Sequence, residues 1–113
     1  MKIIRDMLSI EELRKISGAM FGNMVKAVVD IERGIVALDA ELHSDLEALL
    51  LDDGADQKNL WGINLYPDMP QEDFIEYDSM INMRPAQGNS SRSVENEQTR
   101  KKIVEIISQW IKT

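Results

Sequence analysis

The chain has no cysteine and a single histidine, His43. The first absence excludes disulfide frameworks, thiolate nucleophiles, zinc ribbons and iron–sulfur clusters. The second excludes any site that needs two imidazoles from one chain. Long apolar runs are also missing: the stretch Ala48 to Leu51 is typical of their length, far short of the roughly 20 residues that span a bilayer. At the N-terminus, Lys2, Arg5 and Asp6 interrupt what a signal peptide would keep apolar, so the sequence predicts a soluble, cytoplasmic protein with no membrane partner. What remains is ordinary for a folded domain: 113 residues, 43% apolar and 29% charged. A single domain over 1–113 is expected, because domains usually hold about 100–150 residues.

Charge is segregated along the chain. Residues 1–22 carry a net +1, residues 23–83 a net −11 and residues 84–113 a net +3. The acidic middle repels phosphate backbones, which argues against nucleic acid as a partner. Most of this charge reads as a solvated acidic face.

Local patterns predict the order β-α-β-β-α-β-β-α. Lys2 to Arg5 reads as a short strand. Ser9 and Glu12 have the spacing of a capping box, and Ile10, Leu13, Ile16 and Met20 recur at helical spacing behind it, predicting a helix over 10–21. Met24 to Leu42 reads as a hairpin with a two-residue turn at Arg33-Gly34. That register puts Val25, Ala27, Val29 and Ile31 on one apolar face with Val36, Leu38, Ala40 and Leu42, and sets Lys26 opposite Glu41. A second capping box at Ser44 and Glu47 predicts a helix over 45–53, with a strand as the alternative. Strands are expected over 60–66 and 74–83, and an amphipathic helix over 96–112 with Ile103, Ile107, Trp110 and Ile111 on its buried stripe. The fold class that follows is α+β: an antiparallel-dominated sheet of four or five strands with two to three helices packed on one face.

Three groups of residues could carry chemistry. Glu41 and His43 lie two apart, and Glu76 and Asp78 share the polar face of the 74–83 strand. Together they could bind a divalent cation such as Mg²⁺ or Mn²⁺ and support a metal-dependent hydrolase acting on phosphoesters. No spacing here is diagnostic, so solvent-facing carboxylates are the competing reading and no cofactor is expected. The segment 84–92 offers Arg84, Gln87, Asn89 and Arg92 just before a helix start, which suits an anionic ligand or an acidic patch on a protein partner. Its competing reading is a loop whose amides and hydroxyls satisfy the backbone. Finally, Asn64 and Tyr66 on the 60–66 strand, beside Asp78, Asn82 and Arg84, could hold a small polar ligand, while Trp61 reads as core. Gly62, inside the same strand, marks a bulge or the close approach of another group.

The stretches FGNMVKAVVDIE (21–32), ELHSDLEALLL (41–51), NLWGINLYPD (59–68) and IEYDSMINMRPAQGNSSR (75–92) together resemble a family of small bacterial proteins known only as a domain of unknown function. The resemblance implies a stand-alone single-domain protein and brings no activity, ligand or catalytic residue with it. Function from sequence is therefore a binding or regulatory module using the 84–92 loop, with the metal-dependent hydrolase as the alternative. A homo-oligomer is compatible with both, since a two-fold axis doubles every site residue.

Overall fold

The computed structural model describes residues 1–112. A capping box opens the first helix, α1 (Ile10–Met20): the Glu12 N–H donates to Ser9 Oγ at 3.1 Å, and the Glu12 carboxylate accepts from the Ser9 N–H. Short strands precede it, β1 (Lys2–Ile3) and β2 (Leu8–Ser9). The hairpin follows as β3 (Val25–Asp30) and β4 (Ile35–Leu38), then α2 (His43–Asp52), β5 (Leu60–Leu65), β6 (Ile75–Glu76), α3 (Glu97–Trp110) and β7 (Ile111–Lys112). Five strands form one sheet in the order β1-β4-β3-β5-β6, antiparallel at every pairing, while β2 and β7 pair in parallel beside it. This is an α+β protein with three helices packed against an antiparallel sheet.

Two of these helices, α1 and α3, share one face of the sheet, within the sequence expectation of two to three, and α2 takes the other. Leu13 of α1 and Ile103, Ile106 and Ile107 of α3 pack with Ala27, Val29, Val36 and Ile63. Leu46 and Leu50 of α2 pack on the opposite side with Val28, Ala37 and Leu60. The second face, which reads as mixed in sequence, carries enough apolar side chains at its centre to bury a helix. The result is a sheet between two helical layers.

The hairpin register is shifted by two residues: Val29 pairs with Val36 and Asp30 with Ile35, so four residues, 31–34, make the turn. Asp30 is the cause. Its Oδ1 accepts the N–H groups of Glu32 (3.0 Å) and Arg33 (3.1 Å), its carbonyl accepts from the Gly34 N–H (2.9 Å), and Gly34 takes the left-handed φ of 67° that closes the loop. A shift of two keeps every side chain on its face, so Val25, Ala27, Val29, Val36 and Leu38 are buried as the alternation predicts. Beyond Leu38 the prediction fails. Asp39 adopts a left-handed φ of 73° and ends β4, so Glu41 does not pair with Lys26, Ala40 turns into the α2 cluster, and Leu42 is exposed.

Two further elements differ. The Ser44 capping box does not form; α2 begins earlier, at His43, with Leu42 as an N-cap that provides no side-chain hydrogen bond. Of the strand expected over 74–83, only Ile75–Glu76 pairs with β5. The chain then leaves the sheet because Ser79 packs onto Gly62 and Met80–Asn82 makes a 3₁₀ turn, capped by the Ser79 hydroxyl. At the C-terminus, α3 stops at Trp110, whose half-buried indole donates to the Gly34 carbonyl at 2.7 Å, and Ile111 pairs with Leu8.

Candidate functional site

The polar residues singled out in sequence fall into two groups. On the face that α2 packs against, Asn64 and Glu76 are cross-strand partners in β5 and β6. The Asn64 amide donates to Glu76 Oε1 at 2.8 Å, and the Tyr66 hydroxyl donates to the same oxygen at 2.9 Å. Burial, and then the Glu76 carboxylate, hold the Tyr66 phenol above its ordinary range. Asn64 is buried, and its Oδ1 has no hydrogen-bond partner among the described residues.

His43 lies in the first turn of α2, buried, with Nε2 2.8 Å from the Ile63 carbonyl. A carbonyl can only accept, so Nε2 carries the proton. Burial pulls the imidazole below its ordinary value, and the neighbouring Lys26 adds to this; the Ile63 carbonyl, the Asn64 side chain and Asp78 oppose it. A histidine with a depressed folded value binds fewer protons folded than unfolded, so it costs stability as pH falls through the unfolded value near 6.5. The chain is therefore expected to lose stability between pH 7 and pH 5 more steeply than its His43→Gln variant. Urea midpoints across that range check this, and parallel slopes would rule it out.

Glu41 is exposed in the segment that leads into α2, and among the described residues no three His, Asp or Glu side chains are grouped to hold a metal ion. Asp78 is instead paired with Arg92, Nε to Oδ1 at 2.6 Å.

The second group is the 84–92 segment, and it is tied into the structure. Arg84 is half buried, stacks over the Trp61 ring at 4.3 Å, and donates its terminal nitrogens to the carbonyls of Gln57 and Leu60. Burial lowers its pKa, so the charge is held at a cost. Gln87 donates to the Lys58 carbonyl. Asn89 is buried and donates to the carbonyls of Asn82 and Ser93, each at 2.7 Å, while accepting from the Glu95 N–H. Asn82 joins the loop to the sheet: it accepts from the Gly62 N–H (2.8 Å) and donates to the Gly62 and Arg92 carbonyls (2.9 Å each). Only Arg92 keeps exposed terminal nitrogens free of partners among the described residues.

A different surface is concave. Between α1, α3 and residues 67–77 lies a cleft of about 920 Å³, lined by Met7, Ile10, Phe74, Tyr77, Val104 and Ile107 among others. Met7, Met69 and Val104 stay exposed there. A shallower dish of about 410 Å³, lined by Tyr66, Met69, Glu72, Asp73, Ile75 and Glu76, shares Met69, Glu72 and Ile75 with it. Of the residues singled out in sequence, Tyr66 and Glu76 border this surface. The signal for the rest is Val104, an apolar residue on the otherwise polar side of α3, together with Met7 ahead of α1.

A family model described as protein of unknown function (DUF5674) matches residues 2–110. No curated protein and no solved structure matches the chain.

Proposed function

We propose, for a chain that belongs to this family of unknown function, that it is a binding module whose ligand-contacting surface is the cleft between α1 and α3. The observation that carries the reading is the apolar lining of that cleft. About 920 Å³ falls within the range of roughly 300–1,000 Å³ typical of small-molecule sites. Methionine at the mouth adds to the argument, because its flexible, polarizable side chain adapts to varied apolar ligands. The basic 84–92 loop offers less, since Arg84 is already stacked and hydrogen-bonded. A metal-dependent hydrolase has less support, since among the described residues no three His, Asp or Glu side chains are grouped to hold a metal ion.

Seven methionines make the test direct. In methyl-labelled protein titrated with decyl maltoside, a neutral amphiphile kept below its micelle concentration, the Met7 and Met69 methyl resonances should shift. Met1, Met20, Met80 and Met83, exposed outside the cleft, should not. Equal shifts at all six, or none at Met7 and Met69, would overturn the reading.

A further inference from the structure

Resting on the cleft reading, we propose that Met7 and Met69 are modification sites. Oxidation of their thioethers to sulfoxides by a peroxide weakens the cleft's hold on an apolar ligand without unfolding the chain. The placement of the methionines allows this. Of the seven, none belongs to the buried core among the described residues, which leucine, isoleucine and valine fill instead. Peroxide therefore reaches sulfur without opening the fold. Met7 and Met69, 54% and 49% exposed, are the two that line the cleft. No cysteine competes for the oxidant.

Both side chains stand on backbone that is pinned beside the cleft. Met7 immediately precedes β2, whose Leu8 pairs with Ile111, and the Met69 N–H donates to the Tyr66 carbonyl at 3.2 Å. They belong to different walls, Met7 to the chain leading into α1 and Met69 to the 67–77 segment. In the reaction a sulfur lone pair attacks one oxygen of hydrogen peroxide, and the S–O bond forms as the O–O bond breaks. The departing hydroxide takes the proton of the transferred oxygen and leaves as water. Sulfur loses two electrons and the peroxide gains them. The product is polar where the thioether was apolar. A sulfoxide that stays against the ligand must be stripped of water, and one that swings outward takes an apolar contact with it. Both lower affinity. Ile10, Phe74 and Ile107, which carry no sulfur, keep the rest of the lining as it was.

The experiment measures decyl maltoside binding before and after hydrogen peroxide, read at the Ile10 and Ile107 methyls, which the oxidant leaves chemically unchanged. Peptide mass spectrometry follows conversion at Met7 and Met69, and the urea midpoint follows the fold. Affinity should fall roughly tenfold, the scale of losing the apolar contact of two buried methylenes, with the midpoint unchanged. The paired variant Met7→Leu with Met69→Leu should bind equally well before and after peroxide, although the exposed Met1, Met20, Met80 and Met83 are oxidised in it too. The paired variant Met7→Gln with Met69→Gln, polar without any oxidant, should bind untreated as weakly as the oxidised parent. Unchanged affinity in a parent protein carrying both sulfoxides overturns the modification sites but leaves the cleft reading standing. An equal loss in the leucine variant, parent-like binding by the glutamine variant, or a fall in the parent's urea midpoint on oxidation also overturns them. Failure of the untreated parent to bind decyl maltoside overturns both.

Discussion

Asp30→Ala is expected to cost about 3 kcal/mol of folding stability, with the unfolding midpoint in urea falling at an unchanged m-value. The carboxylate is fully buried at the end of β3 and has three partners: the N–H groups of Glu32 and Arg33 on one oxygen, and Arg33 Nε at 3.0 Å on the other. Alanine leaves both N–H groups without an acceptor and removes one of the two carboxylates that hold the Arg33 side chain. The other, Asp53, still binds it at 2.9 Å, and the Arg33 side chain keeps about a third of its surface in water. The loss therefore sits at the lower end for a broken buried pair. Asp30→Asn should lose about half as much, because its oxygen can still close the turn while its N–H group faces Arg33. A loss under about 1 kcal/mol for alanine would show that the turn is held by Gly34 and chain geometry alone.

The same aspartate marks the limit of what the sequence reveals. Period-two alternation identifies the two strands and their buried face, because burial on one face is a property of each strand separately. Register depends on turn length, and here a side chain competes for backbone donors and lengthens the turn from two residues to four. The Ser9 and Glu12 pair is legible because both partners lie within one helical turn. The Ser44 and Glu47 pair has the same spacing and does not cap, since the buried His43, bound to the Ile63 carbonyl, draws the helix start upstream. Residues 74–83 alternate as a strand should, yet only two pair, because Ser79 must sit on Gly62. Gly62 itself is legible as a place where something comes close; what comes close is not. The cleft lies further out of reach, since its walls come from three stretches distant in sequence, residues 7–14, 67–77 and 104–112. None of them carries a motif.

Asn82→Ala should be at least as damaging as the loss of Asp30, at about 3–4 kcal/mol, because one side chain closes three backbone groups. Beyond Asn64, β6 no longer covers β5, and the fully buried Asn82 amide takes the place of a strand there. It accepts from the Gly62 N–H, donates to the Gly62 carbonyl and also reaches the Arg92 carbonyl. Truncation leaves these groups unpaired in a dry site, at about 1–3 kcal/mol for each one left unsatisfied, partly relieved where water can enter. Asn82→Asp should be no better, since it keeps the acceptor for the Gly62 N–H but sets an oxygen against two carbonyls. Gly62→Ala attacks the same joint from the other side. A Cβ there would lie 2.6 Å from Ser79 Cβ and 2.7 Å from its Oγ, so residues 79–82 must move off β5, at roughly 1–3 kcal/mol. Both substitutions detach one segment, and that segment can be lost only once. The double variant should therefore fall short of the sum by about 1 kcal/mol or more. Strict additivity, or a Gly62 amide that exchanges with solvent no faster in Asn82→Ala than in the parent, would mean that the sheet edge is sealed without the asparagine.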